Sequence, residues 1–401
     1  MRQQLSVSDV QLLDREQVHV LRRVQLPMSG RRRVERYDVV VIGGGQAGLA
    51  TGYWLAQHDV DFVVLDANPR VGDAWRNRWD SLQLFTPARY NGLPGLSFPA
   101  APYHLPGKDE VADYLEWYAQ VFDLPVRNNV RVRSVRRGVR GYEILCDRSD
   151  FEADNVIVAT GPFHTPSIPG LARDLDPSIL QLHSSDYRNA AQLPEGEVLV
   201  VGAANSGAQI ALDVSRTHNA LLAGRSVGSL PRRILGRDLF DWLYATVMRP
   251  GTDSIIGRRM QRSTLSSTDK LIGFTERDLT TPTLRRVGRV AGARDGKPLL
   301  DDGRVADVRS IVWSTGFRPD FRWIELPVFD ANGLPRHVRG VVQDQPGLSF
   351  VGLRFQHRLN SSLIGGVGAD AEYVARAVLA RYGETRTASF PASSGALRRA
   401  V

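Results

Sequence analysis

Residues 37–50 read YDVVVIGGGQAGLA. The run Val39–Ile42 is continuous and β-branched, and it stops at three glycines, the pattern of a strand buried on both faces of a parallel sheet. Apolar residues then recur at helical spacing through AGLATGYWLA (47–56), and DFVVLD (61–66) is a second buried run. Strand, turn, helix and strand make one βαβ unit. Gly43, Gly45 and Gly48 give GxGxxG between strand and helix: one glycine for the tight turn, one for close approach of a pyrophosphate, one for helix–strand packing. Unpaired amides and the positive end of the helix dipole favour an anion there. Asp66 ends the second strand, where a carboxylate accepts from ribose hydroxyls and repels a 2′-phosphate. This unit is expected to hold FAD or NAD, not NADP.

The spacing recurs. Residues 200–211 read VVGAANSGAQIA, with Gly202, Ala204 and Gly207 in the places of the three glycines, and NALLAGRS (219–226) supplies the next strand. The methyl of Ala204 makes the pyrophosphate approach tighter. The strand end differs in sign: in place of Asp66 stand Arg225 and Ser226, suited to charge-assisted bonds with a 2′-phosphate. Opposite charges at equivalent places predict two nucleotides, FAD in the first unit and NADPH in the second. A nicotinamide that delivers a hydride and a flavin that receives it need two seats.

Length and composition agree with this plan. The chain has 401 residues, room for two domains, and 42% hydrophobic residues, enough for their cores. The net charge of +8 raises nucleic acid or membranes as partners. The arginines are scattered, however, with dense runs only at RRRVER (31–36) and RVRSVRRGVR (131–140), and no interleaved aromatics, so no nucleic-acid partner is expected. The single cysteine, Cys146, excludes an intramolecular disulfide and any CxxC pair. There is no signal-peptide core and no run approaching ~18 apolar residues, so a cytoplasmic chain without a membrane span is expected. No HExxH, Cys/His cluster or GxSxG points to metal or serine-hydrolase chemistry.

Further along, KDEVADYLEWYAQVF (108–122) puts Val111, Leu115, Tyr118 and Phe122 on one helical face. NVRVRSV (129–135) and YEILCD (142–147) form a hairpin, and NVIVATG (155–161) is a buried strand whose strand-then-TG pattern returns in SIVWSTG (310–316). The predicted organisation is an α/β fold of two dinucleotide-binding, Rossmann-like domains, the NADPH domain inserted into a discontinuous FAD domain. Its parts are an N-terminal extension (1–36), the FAD domain (37–170 and 305–383), the NADPH domain (171–304) and a tail (384–401) whose composition predicts disorder.

In their order and spacing these motifs resemble the class B flavin-dependent monooxygenases, most of all the branch of plant indole-3-pyruvate monooxygenases and bacterial relatives. The likeness spans 37–382 and is carried by VIGGGQAGLA (41–50), VGDAW (71–75), WDSLQLFTPARYNGLPG (79–95), VATGPFHTPSIPG (158–170), LHSSDY (182–187), STGFRPD (314–320) and SSLIGGVGADA (361–371). It implies flavin contacts at Gly43, Gly45, Gln46, Ala47, Gly48, Asp66, Ala67, Trp75, Thr86, Val132, Thr160, Gly161 and Asp370. It implies NADPH contacts at Gly202, Ala204, Asn205, Ser206, Gly207, Arg225 and Ser226. His183 and Tyr187 match the second half of the family's FxGxxxHxxx(W/Y/P/D) fingerprint between the domains, whereas Pro177 and Ile179 stand where its Phe and Gly would. Asp73 replaces the second glycine of VGGxW. Phe85 stands where N-oxygenating animal members carry an asparagine, which argues against simple amine N-oxygenation. His164 reads as a satisfied loop histidine.

The activity implied is a monooxygenation: NADPH reduces FAD, oxygen adds at flavin C4a, and the (hydro)peroxide passes one oxygen atom to a small organic substrate at the domain interface. A 2-oxo acid, a ketone or a soft N or S centre would all serve. Two alternatives stay open: a reductase handing electrons to a carrier or quinone, and a non-catalytic flavoprotein with a binding or metal-resistance-linked regulatory role.

Overall fold

The computed structural model describes residues 34–266 and 270–389. Strand β1 (Val34–Ile42) runs through the glycine turn into helix α1 (Gln46–Leu55) and returns as β2 (Phe62–Leu65), parallel to β1 with Val39 opposite Phe62. Helix α2 (Lys108–Val121) follows a long loop and buries Val111, Leu115 and Tyr118, the face its periodicity predicts. Then come β3 (Val126–Arg127), β4 (Val132–Arg137), β5 (Tyr142–Cys146) and β6 (Asp150–Val158), giving a sheet ordered β3-β2-β1-β6-β5-β4. β4 and β5 pair antiparallel as the expected hairpin, the first half of β6 pairs antiparallel with β5, and its last three residues pair with a strand from far down the chain.

Successive residues of a strand point to opposite faces. Val39 and Val41 accordingly pack with α1, α2 and the closing helix, while Val40 and Ile42 pack with Phe321, Ile324 and Phe350 beneath the sheet. Burial on both faces is what the uninterrupted apolar run demanded.

The two crossings between domains lie side by side. β7 (Thr165–Pro166) leaves the first domain and pairs antiparallel with a returning strand at 317–318. Between them the second sheet is built from β8 (Leu180–His183), β9 (Val198–Val201), helix α3 (Asn205–Val214), β10 (Ala220–Ala223), the short helices α4 (Leu239–Ala245) and α5 (Ile255–Ser266), β11 (Leu284–Val287) and β12 (Ser310–Trp313). Its order is β11-β10-β9-β12-β8, all parallel. The chain re-enters the first domain as β13 (Phe317–Arg318), adds β14 (Leu348–Phe350) beside β6, and closes with α6 (Ile364–Ser389).

Three expected boundaries move. The sequence predicts an outer domain from position 305 that takes in 310–313, yet β12 sits between β9 and β8, its Val312 in one face's core and Ile311 and Trp313 in the other's. The repeated strand-then-TG pattern explains the error: β6 and β12 are equivalent strands, each flanking the glycine-loop strand of its own sheet. Second, Val34–Arg36 are not extension but the start of β1, with Arg36 bonded to Glu152 (3.3 Å) and Asp154 (2.5 Å). Third, α6 carries helix to Ser389, past the tail boundary at 384. The extension before 34 and the tail from 390 lie outside the described residues. No described helix is long and apolar enough to cross a membrane.

Candidate functional site: two glycine loops at the domain interface

The first loop is built for an anion. Gly43 sits at φ +111°, a conformation only glycine adopts cheaply, and a Cβ there would lie 2.7 Å from the Ala159 carbonyl oxygen. Gly45 caps α1 without any side-chain hydrogen bond, and the first turn of α1 carries no acid, so the leading amides face outward unsatisfied. A Cβ on Gly45 would meet nothing within 4 Å, whereas one on Gly48 would lie 1.8 Å from the Gly43 oxygen. The three glycines therefore have three jobs: turn, open floor and helix packing. Gln46 and Ala47 complete the first turn of α1, Gln46 half-buried and Ala47 buried beneath it.

Asp66, 8% exposed, accepts from the Gly44 amide (2.6 Å) and from the amide and side chain of Asn68 (2.7 and 2.8 Å). It thus pins the loop to the end of β2 beside exposed Ala67. The Val130 amide donates to the Asp66 carbonyl (2.8 Å), which brings the start of β4 and half-buried Val132 alongside. Thr160 and Gly161 leave β6 next to Gly43. Trp75 is half-buried against the outer core. Thr86 is buried, and its hydroxyl donates to Asn91 Oδ1 (2.7 Å), leaving the hydroxyl oxygen as an acceptor.

Asp370 is the outlier of this domain. It is 2% exposed on α6, and its Oδ1 has no partner. Burial pushes its carboxyl up to about 6 against the opposing pull of Ser361, Arg339 and Arg358. An orphaned buried oxygen is a seat for a donor such as a ribityl hydroxyl, and with the bare amides of α1 it makes the outer domain fit a flavin dinucleotide. A stability consequence follows. The unfolded carboxyl ionises near pH 4 and the folded one near 6, so stability falls over that window and stays lowered above it. Asp370→Asn should therefore stabilise the flavin-free protein by roughly 1–3 kcal/mol at pH 8 and by almost nothing at pH 4, read as thermal unfolding at both pH values.

The second loop repeats the first. Gly202 has φ +112° against the Ser314 carbonyl, Ala204 caps α3 without a side-chain bond, and a Cβ on Gly207 would lie 1.7 Å from the Gly202 oxygen. Exposed Ser206 lies in the first turn of α3, free to face a phosphate. Asn205 is not: its amide group clasps the 270–272 segment, donating to Lys270 O (3.0 Å) and accepting from Ile272 N (3.0 Å). At the end of β10, Arg225 is exposed and Ser226 donates to Glu276 (2.9 Å).

Segment 79–86 ties the domains together, which its sequence did not reveal. Trp79 enters the core of the second domain, Gln83 and Gln209 exchange hydrogen bonds (3.1 and 2.8 Å), and Asn189 donates to Asp80 (2.6 Å). Further along, Arg232 donates to the Phe85 carbonyl (2.6 Å) while Phe240 stacks on the Phe85 ring. Asp241 of α4 accepts from Tyr90 (2.5 Å) and Tyr103 (3.0 Å). A cavity of about 360 Å³ opens here, lined by Arg89, Tyr90, Leu93, Leu96, Tyr244 and Gly365.

The two singled-out histidines each bond to groups on two different chain segments. His183 is 1% exposed; because a carbonyl only accepts, its Nε2 donates to Gly316 (3.0 Å) and its Nδ1 faces Ser185 (2.9 Å). Burial lowers its pKa. It fastens β8 to the returning crossover. His164 likewise joins Thr160 (3.0 Å) to the Asp320 amide (2.9 Å). Tyr187 is buried and donates to Asp213 (2.7 Å) on α3, away from either loop. Cys146 is buried within β5.

Comparison with known proteins agrees with this geometry. Residues 40–226 match the family described as pyridine nucleotide-disulphide oxidoreductase. The chain is 40% identical to an uncharacterized CzcO-like oxidoreductase of Geobacillus kaustophilus (strain HTA426), over 85% of this chain and 98% of that one. It is 31% identical to the probable indole-3-pyruvate monooxygenase YUCCA7 of Arabidopsis thaliana, over 70% of this chain and 74% of that one. Among solved structures, a flavin-containing monooxygenase from Stenotrophomonas maltophilia superposes with a TM-score of 0.71 at 27% identity, covering 87% of this chain and 99% of that one. With a glycine loop at the head of each domain's first helix and these relatives along most of its length, the chain belongs to the class B flavin-dependent monooxygenase family of oxidoreductases.

Proposed function

We propose that the protein inserts one atom of O2 into a small organic substrate, with NADPH as hydride donor and FAD as the resident redox group. The observation that carries this reading is the opposition of charge at equivalent strand ends, Asp66 in the first unit and Arg225 with Ser226 in the second. When bound, the flavin supplies oxygen activation at its C4a edge, chemistry that no side chain can perform. The chain's own residues do the rest. The amides that open α1 (46–48) hold one pyrophosphate and those that open α3 (205–207) the other, since the Gly43, Gly44 and Gly202 amides already donate to Leu65, Asp66 and Ala223. Asp66 takes ribose hydroxyls, and Asp370 takes a hydroxyl donor at its orphaned oxygen. The packing of 79–86 and α4 keeps water from the reacting centre, where an uncommitted oxygen species would otherwise be lost as hydrogen peroxide.

The substrate meets this centre at the domain interface, where the cavity beside Tyr90 and Tyr244 offers an aromatic wall. Electrons have no dithiol to reach, because the one cysteine is buried in a strand. Purified protein given NADPH, a panel of 2-oxo acids, ketones, amines and sulfides, and ¹⁸O2 should consume NADPH and oxygen and place a single ¹⁸O in one product. NADPH oxidation that feeds added quinones or carriers, with no ¹⁸O in any organic product, would sink the proposal.

The phosphate contact has its own test. Arg225→Ala should weaken NADPH binding by about 10–100-fold, the range for losing a hydrogen bond to a charged group, and shift NADH by no more than about twofold. Equal losses for both nucleotides in direct titration would remove the case for the 2′-phosphate.

A further inference from the structure

Beside Arg225 and Ser226 lie two groups the reading above does not use. Arg286 stands on β11 level with Leu222 of β10, and its side chain reaches the strand end, where Nη2 donates to the Gly224 carbonyl (3.3 Å). The side chain is only 18% exposed, and its Nη1 is shielded from solvent with no hydrogen-bond partner. A buried guanidinium donor left unpaired carries the full cost of its desolvation, so the arrangement is complete only with an acceptor that the unliganded chain does not supply. Glu276 covers this place from the other side. Its Oε1 accepts from Ser226 Oγ at 2.9 Å, and its Oε2 lies 3.6 Å from Arg286 Nε. One carboxylate thus bridges the serine and the arginine of adjoining strand ends. Arg225, a residue away, makes no ion pair among the described residues.

We propose that Arg286 is a second ligand of the nucleotide 2′-phosphate and that Glu276 occupies that seat until the phosphate displaces it. The charges support exchange. Arg225 and Arg286 together match a phosphomonoester of about −1.5 to −2, whereas the single carboxylate satisfies neither fully. Glu276 is 57% exposed and its contact with Arg286 is long, so the pair is weak and yields easily to a ligand with three acceptor oxygens. A nucleotide without the phosphate leaves Glu276 in place.

The inference rests on the NADPH reading, and binding measurements on the full-length flavin-loaded protein separate the two. The probes are adenosine 2′,5′-bisphosphate and 5′-AMP, titrated by calorimetry. Arg286→Gln should weaken the bisphosphate by about tenfold or more and leave 5′-AMP within about twofold. Glu276→Gln, at an exposed position that cannot threaten folding, should tighten the bisphosphate several-fold, most at low salt where the competing charge is least screened. A bisphosphate-to-AMP ratio that is high in the unaltered protein and unmoved by either substitution overturns this inference alone, as does weaker bisphosphate binding in Glu276→Gln. No preference for the bisphosphate in the unaltered protein overturns the NADPH reading and this inference with it.

Discussion

A valine at position 45 should leave the protein folded and colourless. Gly45 has φ −80° and ψ −171°, ordinary extended geometry that any residue adopts, and a Cβ there touches nothing. Its glycine identity is therefore unexplained by the polypeptide itself. The open floor makes sense only if something comes close to the backbone, and the bare amides of α1 say that it is anionic. The isopropyl group of Gly45→Val would occupy that space. Flavin affinity should fall by about 100-fold or more, equivalent to roughly 3 kcal/mol, while thermal unfolding of the flavin-free protein stays within about 1 kcal/mol of the parent. A Gly45→Val protein that purifies yellow with full flavin content would show that no dinucleotide lies across this loop.

Alanine at Gly48 and at Gly207 should separate the two domains' tasks. Each added Cβ would fall under 2 Å from a backbone oxygen, that of Gly43 in one loop and of Gly202 in the other. Backbone cannot rotate aside as a side chain can, so the helix must lift from its strand. Such overpacking costs about 1–3 kcal/mol or more and outweighs the roughly 1 kcal/mol that alanine gains over glycine in a helix. Lifting α1 or α3 also withdraws the amides that hold the phosphates. Gly207→Ala should keep its flavin and reduce with dithionite, yet show at least about a 100-fold loss in reduction by NADPH. Gly48→Ala should lose flavin instead. If Gly207→Ala lost its flavin and Gly48→Ala kept it, the assignment of cofactors to domains would be reversed.

Much of this architecture is legible in the sequence. The parallel β1–α1–β2 core was legible because strands buried on both faces leave an unbroken apolar run, and the helix face of α2 because 3.6-residue spacing survives in Val111, Leu115 and Tyr118. The turn and packing glycines were legible because the positive φ at Gly43 and Gly202 and the backbone contact at Gly48 and Gly207 suit one residue type. β12 was placed in the wrong domain because a buried strand carries no label for its sheet: SIVW suits either core. The side-chain partners of Asn205 and Thr86 leave no trace in the sequence, because the Asn205 amide group clasps a segment 65 residues away and the Thr86 hydroxyl donates into a local turn. Arg286 and Glu276 went unnoticed because ten residues of sequence separate them, while Ser226 lies fifty or more from both.

By itself, then, the order of amino acids determined that there are two dinucleotide loops, which carries the acid and which the arginine, and that no dithiol accepts the electrons. Only tertiary structure decided how the domains share their strands, that 79–86 and α4 bond across the interface, and that the Glu276 carboxylate bridges Ser226 and Arg286. The physical reason is range. Backbone geometry and burial periodicity are local and leave a trace in spacing, whereas the pairing of a buried guanidinium or an orphaned carboxyl depends on partners that meet only when distant segments pack.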